Sequence, residues 1–260
     1  MNRFMRRTIL SFILFAAWIH VCHAFDDVIR LAVSTSIHSP ISSICQKFSQ
    51  STRYKCKIAS APTGHLYAHI MHGMAYDLFI SSDQTYTAGL LNAQKALPDS
   101  RFVVAKGRIV LASADQQATA ESLQAALLNQ PNASIVMASP GISSYGSATK
   151  EVLQSYNLWQ QVQGRLVYGK DIKQSYDLMM TKRVPLGFVS LAQLPMQARD
   201  KKRYWEPDPN SYKGVLHEAL VLKTQVNTEA VKAFIDFVQS ESSCHFFEDA
   251  GFHCGNSKHT

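Results

Sequence analysis

The stretch VIRLAVSTSIHSPISSICQKFSQSTRYKCKIASAPTGHLYAHIMHGMAYDLFISSD, residues 28–83, decides the fold class. It opens on a short apolar run, Val28–Val33, that reads as a buried strand. Pro40–Gln50 follows with Ile41, Ile44, Cys45 and Phe48 at helical spacing. Tyr54–Ala59 reads as a second strand, and Leu66–His72 as a short helix that Gly73 stops. Leu78–Ser81 is a third strand, apolar enough to be buried on both faces. Strands that alternate with helices predict a mostly parallel sheet with helices on both faces, an α/β fold.

The same grammar runs downstream. Thr85–Asn92 reads as a helix, and Phe102–Ser113 as a long strand with a break at Lys106-Gly107. A second unit then has helices at Ala120–Asn129, Gly146–Tyr156 and Ile172–Thr181, with strands at Ser134–Met137, Leu166–Tyr168 and Gly187–Ser190. Pro207, Pro209 and Gly214 break regular structure before another strand, Leu216–Leu222. Helices at Thr228–Ser240 and Ser243–Asp249 end the pattern. The two long strands bracket the middle unit, so they are expected to be the crossings between two lobes. Lobe 1 would hold residues 25–106 plus 217–260, and lobe 2 residues 107–216.

Upstream, Arg3, Arg6 and Arg7 precede the apolar run Thr8–Val21, and Cys22-His23-Ala24 ends it with small residues at the −3 and −1 positions. That layout predicts a signal peptide, residues 1–24, cleaved after Ala24. A membrane anchor is the rival reading, but a span needs about 20 apolar residues. Removing this segment takes away three arginines and no acids, lowering the formal charge from +7 to +4. Hydrophobic residues at 46% and charged residues at 17% describe a globular chain. The basic residues form no stripe interleaved with exposed aromatics, which argues against nucleic acid as a partner.

Cys45, Cys56, Cys244 and Cys254 remain after cleavage, and an even count in an exported chain suggests disulfides. Three pairings are possible. The local one, Cys45–Cys56 and Cys244–Cys254, is expected because each pair is close in sequence and joins a helix to the segment after it. Metal binding is the rival, since His245 and His253 flank the second pair, but the usual C-x2-C spacing is missing.

At four places a polar turn stands between a strand and a helix: Ser34-Thr35-Ser36, Pro62-Thr63-Gly64, Ser143-Ser144-Tyr145-Gly146 and Lys170-Asp171. In open α/β sheets ligands sit beyond the carboxyl ends of the strands. Helix N-termini there present N–H groups and the positive end of the dipole, so an anion is the natural guest. At any one place simple capping by Ser, Thr or Asp is the stronger reading. Two places in each expected lobe favour binding. A catalytic reading finds little support: there is no G-x-S-x-G elbow, no H-E-x-x-H and no phosphate loop ending in GK[ST].

The segments LAVSTSIHSPISSICQKF, PTGHLYAHI, DLFISSDQ, SSYGSATKEVLQSYNLW, LVYGKDIKQSYDLMM, VPLGFVSLAQL and FFEDAGF resemble, in order and spacing, the periplasmic molybdate-binding proteins of ABC importers. DLFISSD is the most specific of them, and the resemblance runs from about residue 28 to residue 252. It implies a type II periplasmic binding protein fold: two α/β lobes joined by two crossing strands. It also implies a tetrahedral dianion, molybdate or tungstate, held by neutral donors and no cofactor. Motif by motif, a hydroxyl and N–H fall on Ser36, a second pair on Thr63, and backbone N–H groups on Tyr145 and Ile172. A family tyrosine falls on Ser190, the main departure, because serine is shorter. His65 stands beside the Thr63 turn, either as a pH-dependent donor or as an exposed helix residue. The implied protein is a periplasmic monomer, no enzyme, whose partners are a small oxyanion and an inner-membrane permease and ATPase. Another anion (sulfate, phosphonate or an organic acid), a sensor subunit and, remotely, a hydrolase remain as alternatives.

Overall fold

Val28–Ser34 forms the first strand, β1, and its last four residues are all buried. This computed structural model describes residues 28–224 and 228–255; the expected signal peptide, 1–24, lies outside the described residues. A 3-10 turn, Thr35–Ile37, leads from β1 into α1, His38–Ser51. Pro40 lies in the first turn of that helix, where its missing N–H costs nothing. Ile41, Ile44, Cys45 and Phe48 are the buried stripe that the spacing predicts. Strand β2, Lys55–Ala61, pairs parallel with β1, and α2, Thr63–Met71, follows. Gly73, at φ 89°, ends α2 in the left-handed region that glycine adopts freely. Strand β3, Leu78–Ser81, pairs parallel with the other edge of β1, and α3 is Gln84–Asn92.

The expected long strand Phe102–Ser113 is two strands, β4, Phe102–Gly107, and β5, Ile109–Ala112. They belong to different sheets, so the chain changes sheet at Arg108, whose carbonyl accepts from the Leu191 N–H. Next come α4 (Ala120–Asn129), β6 (Ile135–Ala138), α5 (Ser144–Ser155), α6 (Trp159–Val162) and β7 (Leu166–Gly169). They are followed by α7 (Ile172–Met180), β8 (Leu186–Ser190), β9 (Val215–Val221), α8 (Thr228–Val238), α9 (Glu241–Asp249) and β10 (Phe252–Cys254). The larger sheet has the order β10-β4-β9-β3-β1-β2 and the smaller β5-β8-β6-β7. In the smaller sheet β6 is parallel to β7 and β8, while β5 is antiparallel to β8.

Contacts divide the chain into two units. Unit 1 takes in the described residues up to Ser81, Thr85–Phe102 and Ala219–Ser240. Unit 2 takes in Ser82–Gln84, Val103–Glu218 and the described residues from Glu241. Unit 1 has a core of Ala32, Leu66, Ile70, Phe79, Leu90 and Leu220, and Phe48 meets Phe234 edge-on at 5.3 Å. Unit 2 packs α4 and α5 onto the smaller sheet through Leu111, Leu123, Met137, Leu153 and Phe188.

The Cys244–Cys254 disulfide is formed, tying α9 to β10. The other expected bond is not: Cys45 and Cys56 are thiols. They stand against each other, the Cys56 side chain hydrogen-bonding that of Cys45. The sequence pairing therefore found the right neighbours, which this structure holds as thiols.

Candidate functional site

In unit 1 three hydroxyls meet where two helices begin. β1 ends at Ser34, which is buried, and its Oγ lies 3.1 Å from the Oγ of Ser36 in the following turn. Thr63, the first residue of α2, donates its hydroxyl to the same Ser34 Oγ at 3.0 Å. Parallel pairing aligns Ser34 with Ala61, so the ends of β1 and β2 come out at one edge. Ser36 and Thr63 are thus brought together by register, although 27 positions separate them. Neither helix start is capped by a side chain: the N-cap positions Ser34, Ile37 and Pro62 make no such bond. Thr63 begins α2 itself instead of standing in a turn before it, so its hydroxyl and backbone N–H share one helix end.

Unit 2 holds the other candidates. Ser143 precedes α5 without a side-chain cap bond. Tyr145 is the second residue of α5, and Gly146 lets the helix lie against the end of β6. A Cβ at Gly146 would stand 2.6 Å from the Ser139 carbonyl oxygen. The Tyr145 ring turns into the core, and its hydroxyl reaches 3.1 Å from Ser190 Oγ at the end of β8. Gly107 makes the room, since a side chain there would overlap the phenol oxygen. Burial pushes the Tyr145 phenol up to about 12.

Ile172 opens α7 one residue after Asp171, whose carboxylate caps that helix by accepting from the Gln174 N–H at 2.7 Å. Here the capping reading holds, as it does not at the other three turns. Gln193 then links Ile172 to Ser190: its Nε2 donates to the Ile172 carbonyl and its Oε1 accepts from the Ser190 N–H, both at 3.1 Å. Tyr145, Ile172 and Ser190 therefore form one hydrogen-bonded group.

Sequence reasoning named Ser34 only as part of a polar turn, and assigned no role to Gln193 or to the Tyr145 hydroxyl. Ser34 carried a signal only in belonging to the same polar turn as Ser36. Gln193 carried none, because its contact with Ile172 spans 21 positions. His65 is exposed on α2. Asp77 is buried and committed to structure: it accepts from the Arg30 N–H at 2.7 Å, from Nε at 3.0 Å and from Nη2 at 2.7 Å. A cavity of about 350 Å³ in unit 2, lined by Ala112, Ser113, Leu194, Pro195 and Arg203, includes none of the candidate residues.

Residues 29–253 match the family of bacterial extracellular solute-binding proteins. The molybdate-binding protein ModA of Rhodobacter capsulatus is 28% identical over 221 residues, 85% of this chain and 86% of its own. The molybdate-binding protein ModA of Azotobacter vinelandii is 25% identical over 232 residues, 89% and 92% of the two chains. The solved structure of the Azotobacter vinelandii periplasmic molybdate-binding protein superposes with a TM-score of 0.67 at 26% identity, covering 86% of this chain and 98% of that one. The two helix-flanked sheets are those of a type II periplasmic binding protein. The chain belongs to the bacterial extracellular solute-binding protein family.

Proposed function

We propose that this chain is the solute-binding component of an ABC importer that captures a tetrahedral oxyanion, molybdate or tungstate. One observation carries the reading: the Ser34, Ser36 and Thr63 hydroxyls converge where two helices start without side-chain caps. Helix starts of this kind offer N–H donors to an anion. Membership of a solute-binding family and likeness to two molybdate-binding proteins support the choice of cargo.

Binding needs no counter-charge and no cofactor. Each hydrogen bond to a charged acceptor contributes roughly 1.5–3 kcal/mol, so six or seven outweigh desolvation of a dianion in a dry site. Ser36 and Thr63 hold the anion, the Thr63 hydroxyl turning its one proton from Ser34 Oγ to the ligand, and the N–H groups of Tyr145 and Ile172 are the further donors. Ser190 acts through Tyr145 and Gln193. A shell made of donors disfavours a protonated oxyanion, whose acidic OH finds no acceptor. The closed form is what the permease and its ATPase recognise, so the anion works by shifting a population. The chain is exported to the periplasm, loses residues 1–24, and acts there as a monomer that binds without turnover.

Calorimetry of the purified mature protein against molybdate, tungstate, sulfate and phosphate tests this. Tight binding of the first two with weak binding of the others is the expected result. A preference for sulfate or phosphate, or binding untouched by Ser36→Ala and Thr63→Ala together, would overturn it.

A further inference from the structure

Cys45 and Cys56 are the two cysteines outside the Cys244–Cys254 bond among the described residues. Cys45 lies on the buried stripe of α1, and Cys56 is half-buried in β2. The alternation of β2 fixes which way Cys56 faces. Ala59 and Ala61 pack on the core beside α2, so Cys56 and Ile58 lie on the opposite face, where α1 covers the sheet. The Cys56 side chain accordingly hydrogen-bonds that of Cys45. The two thiols are in contact on α1 and β2, elements packed against each other, which is the proximity a disulfide requires.

We propose that Cys45 and Cys56 form a second disulfide by thiol–disulfide exchange, tying α1 to β2. The oxidant is a disulfide, R–S–S–R, of the kind an oxidising compartment supplies through small thiols or thiol oxidoreductases. Cys56, the more exposed, loses its proton and attacks one sulfur, forming Cys56–S–S–R and releasing one RS⁻. Cys45 then loses its proton and attacks the Cys56 sulfur, forming the Cys45–Cys56 bond and releasing the second RS⁻. Two thiols are oxidised, one disulfide is reduced to two thiols, and the two protons lost by the cysteines complete them. The Cys56 neighbour and burial push the Cys45 thiol up, which agrees with Cys56 attacking first.

The bond has a consequence for the hydroxyl cluster. α1 follows the Ser36 turn, and β2 leads to Thr63 through Pro62 alone. A covalent tie between α1 and β2 therefore fixes the two arms that present Ser36 and Thr63. The bond itself does not depend on which anion, if any, this cluster holds.

The test is a peptide map of the wild-type mature protein. The reduced protein is incubated with glutathione disulfide, quenched with N-ethylmaleimide in denaturant and digested with trypsin. The expected product is the 31–47 peptide joined to the Cys56–Lys57 peptide, two hydrogens lighter than the pair of thiols, with neither cysteine alkylated. Under oxidising conditions Cys56→Ser melts roughly 6–12 °C below the wild type, as for a closed loop of this size. Under reducing conditions, where Cys244–Cys254 opens in both proteins, the two melt together. Alkylation of both Cys45 and Cys56 would overturn the proposal. So would glutathione retained on Cys56 beside an alkylated Cys45, or either cysteine recovered bonded to Cys244 or Cys254. The map is read on the wild type, so it decides even if the variant folds poorly.

Discussion

The Thr63 hydroxyl donates to the Ser34 hydroxyl at 3.0 Å, joining the first residue of α2 to the last residue of β1. Ser34 also meets Ser36, so one buried oxygen positions both hydroxyls proposed to face the anion, and the Ser34–Thr63 bond reverses when Thr63 turns its single proton to that anion. The donor arrangement is built from the strand end outward, and Ser34 is its pivot although its own side chain is not assigned to the ligand.

Ser34→Ala is therefore expected to weaken oxyanion binding by about 1–2 kcal/mol while leaving both proposed contacts in the chain. Ser36→Ala and Thr63→Ala are each expected to cost about 1–3 kcal/mol. Calorimetry on the singles and on Ser34→Ala/Thr63→Ala checks the pivot. Because Ser34 works through Thr63, the double variant loses less than the sum of the singles. Strict additivity would mean that Ser34 acts elsewhere.

Tyr145→Phe separates the ring from the hydroxyl. The backbone N–H is unchanged, so affinity should move little, while loss of the bond to Ser190 costs about 1–2 kcal/mol of stability. The phenol has an ordinary value of 10.0 and is pushed up to about 12 by burial, so folding holds its proton more tightly. The stabilisation is present in full below pH 10 and is lost as pH rises from 10 through 12. Denaturant unfolding across that range should show a steeper alkaline loss in the wild type than in Tyr145→Phe.

Much of this architecture was legible because the signals were local. Ala120–Asn129 reads as a helix from its apolar spacing and forms over those residues, capped by Thr119 and Ser122 on each other. β3 and β6, buried throughout, form close to where apolar runs predict them. What escaped was set by distant partners. β10 is three residues long, too short for any period, and exists because it pairs with β4. The break of Phe102–Ser113 into two strands was visible in Gly107, but not the change of sheet that follows it, nor the Tyr145 phenol that fills the space beside Gly107. At the site, Ser36, Thr63, Tyr145 and Ile172 sit at helix starts where the turn grammar put them, whereas Gln193 joins two of these segments from a third, which no spacing encodes.

Asp77 carries the strand start on which the hydroxyl cluster depends. Its carboxylate is 2% exposed and takes three N–H bonds from Arg30 on β1, while the Asp77 N–H donates to the Arg30 carbonyl at 2.8 Å. Asp77→Ala leaves the Arg30 side chain without that acceptor and the β1–β3 pairing without its clamp. Breaking such a pair costs about 3–5 kcal/mol. A thermal melt should fall accordingly, and Arg30→Met/Asp77→Leu should recover part of the loss by replacing both charges.

His217 makes the opposite kind of pH prediction. It is fully buried in β9, with the Phe252 ring edge-on at 5.1 Å, and burial lowers its value from 6.5 to about 4 despite a bond to the Val215 backbone. The folded protein therefore keeps this imidazole neutral where the unfolded chain would protonate it. Its contribution is present in full above pH 6.5 and is lost as pH falls from 6.5 through 4, one proton being taken up on unfolding in that window. The size follows from the difference between the two values and is about 2–4 kcal/mol. His217→Phe keeps a ring against Phe252 and removes the titration, so its stability should fall less between pH 6.5 and 4 than that of the wild type. Chemical denaturation at intervals across that range reads the slope directly. Parallel slopes in the two proteins would mean that His217 gains its proton while folded and contributes nothing to the acid limb.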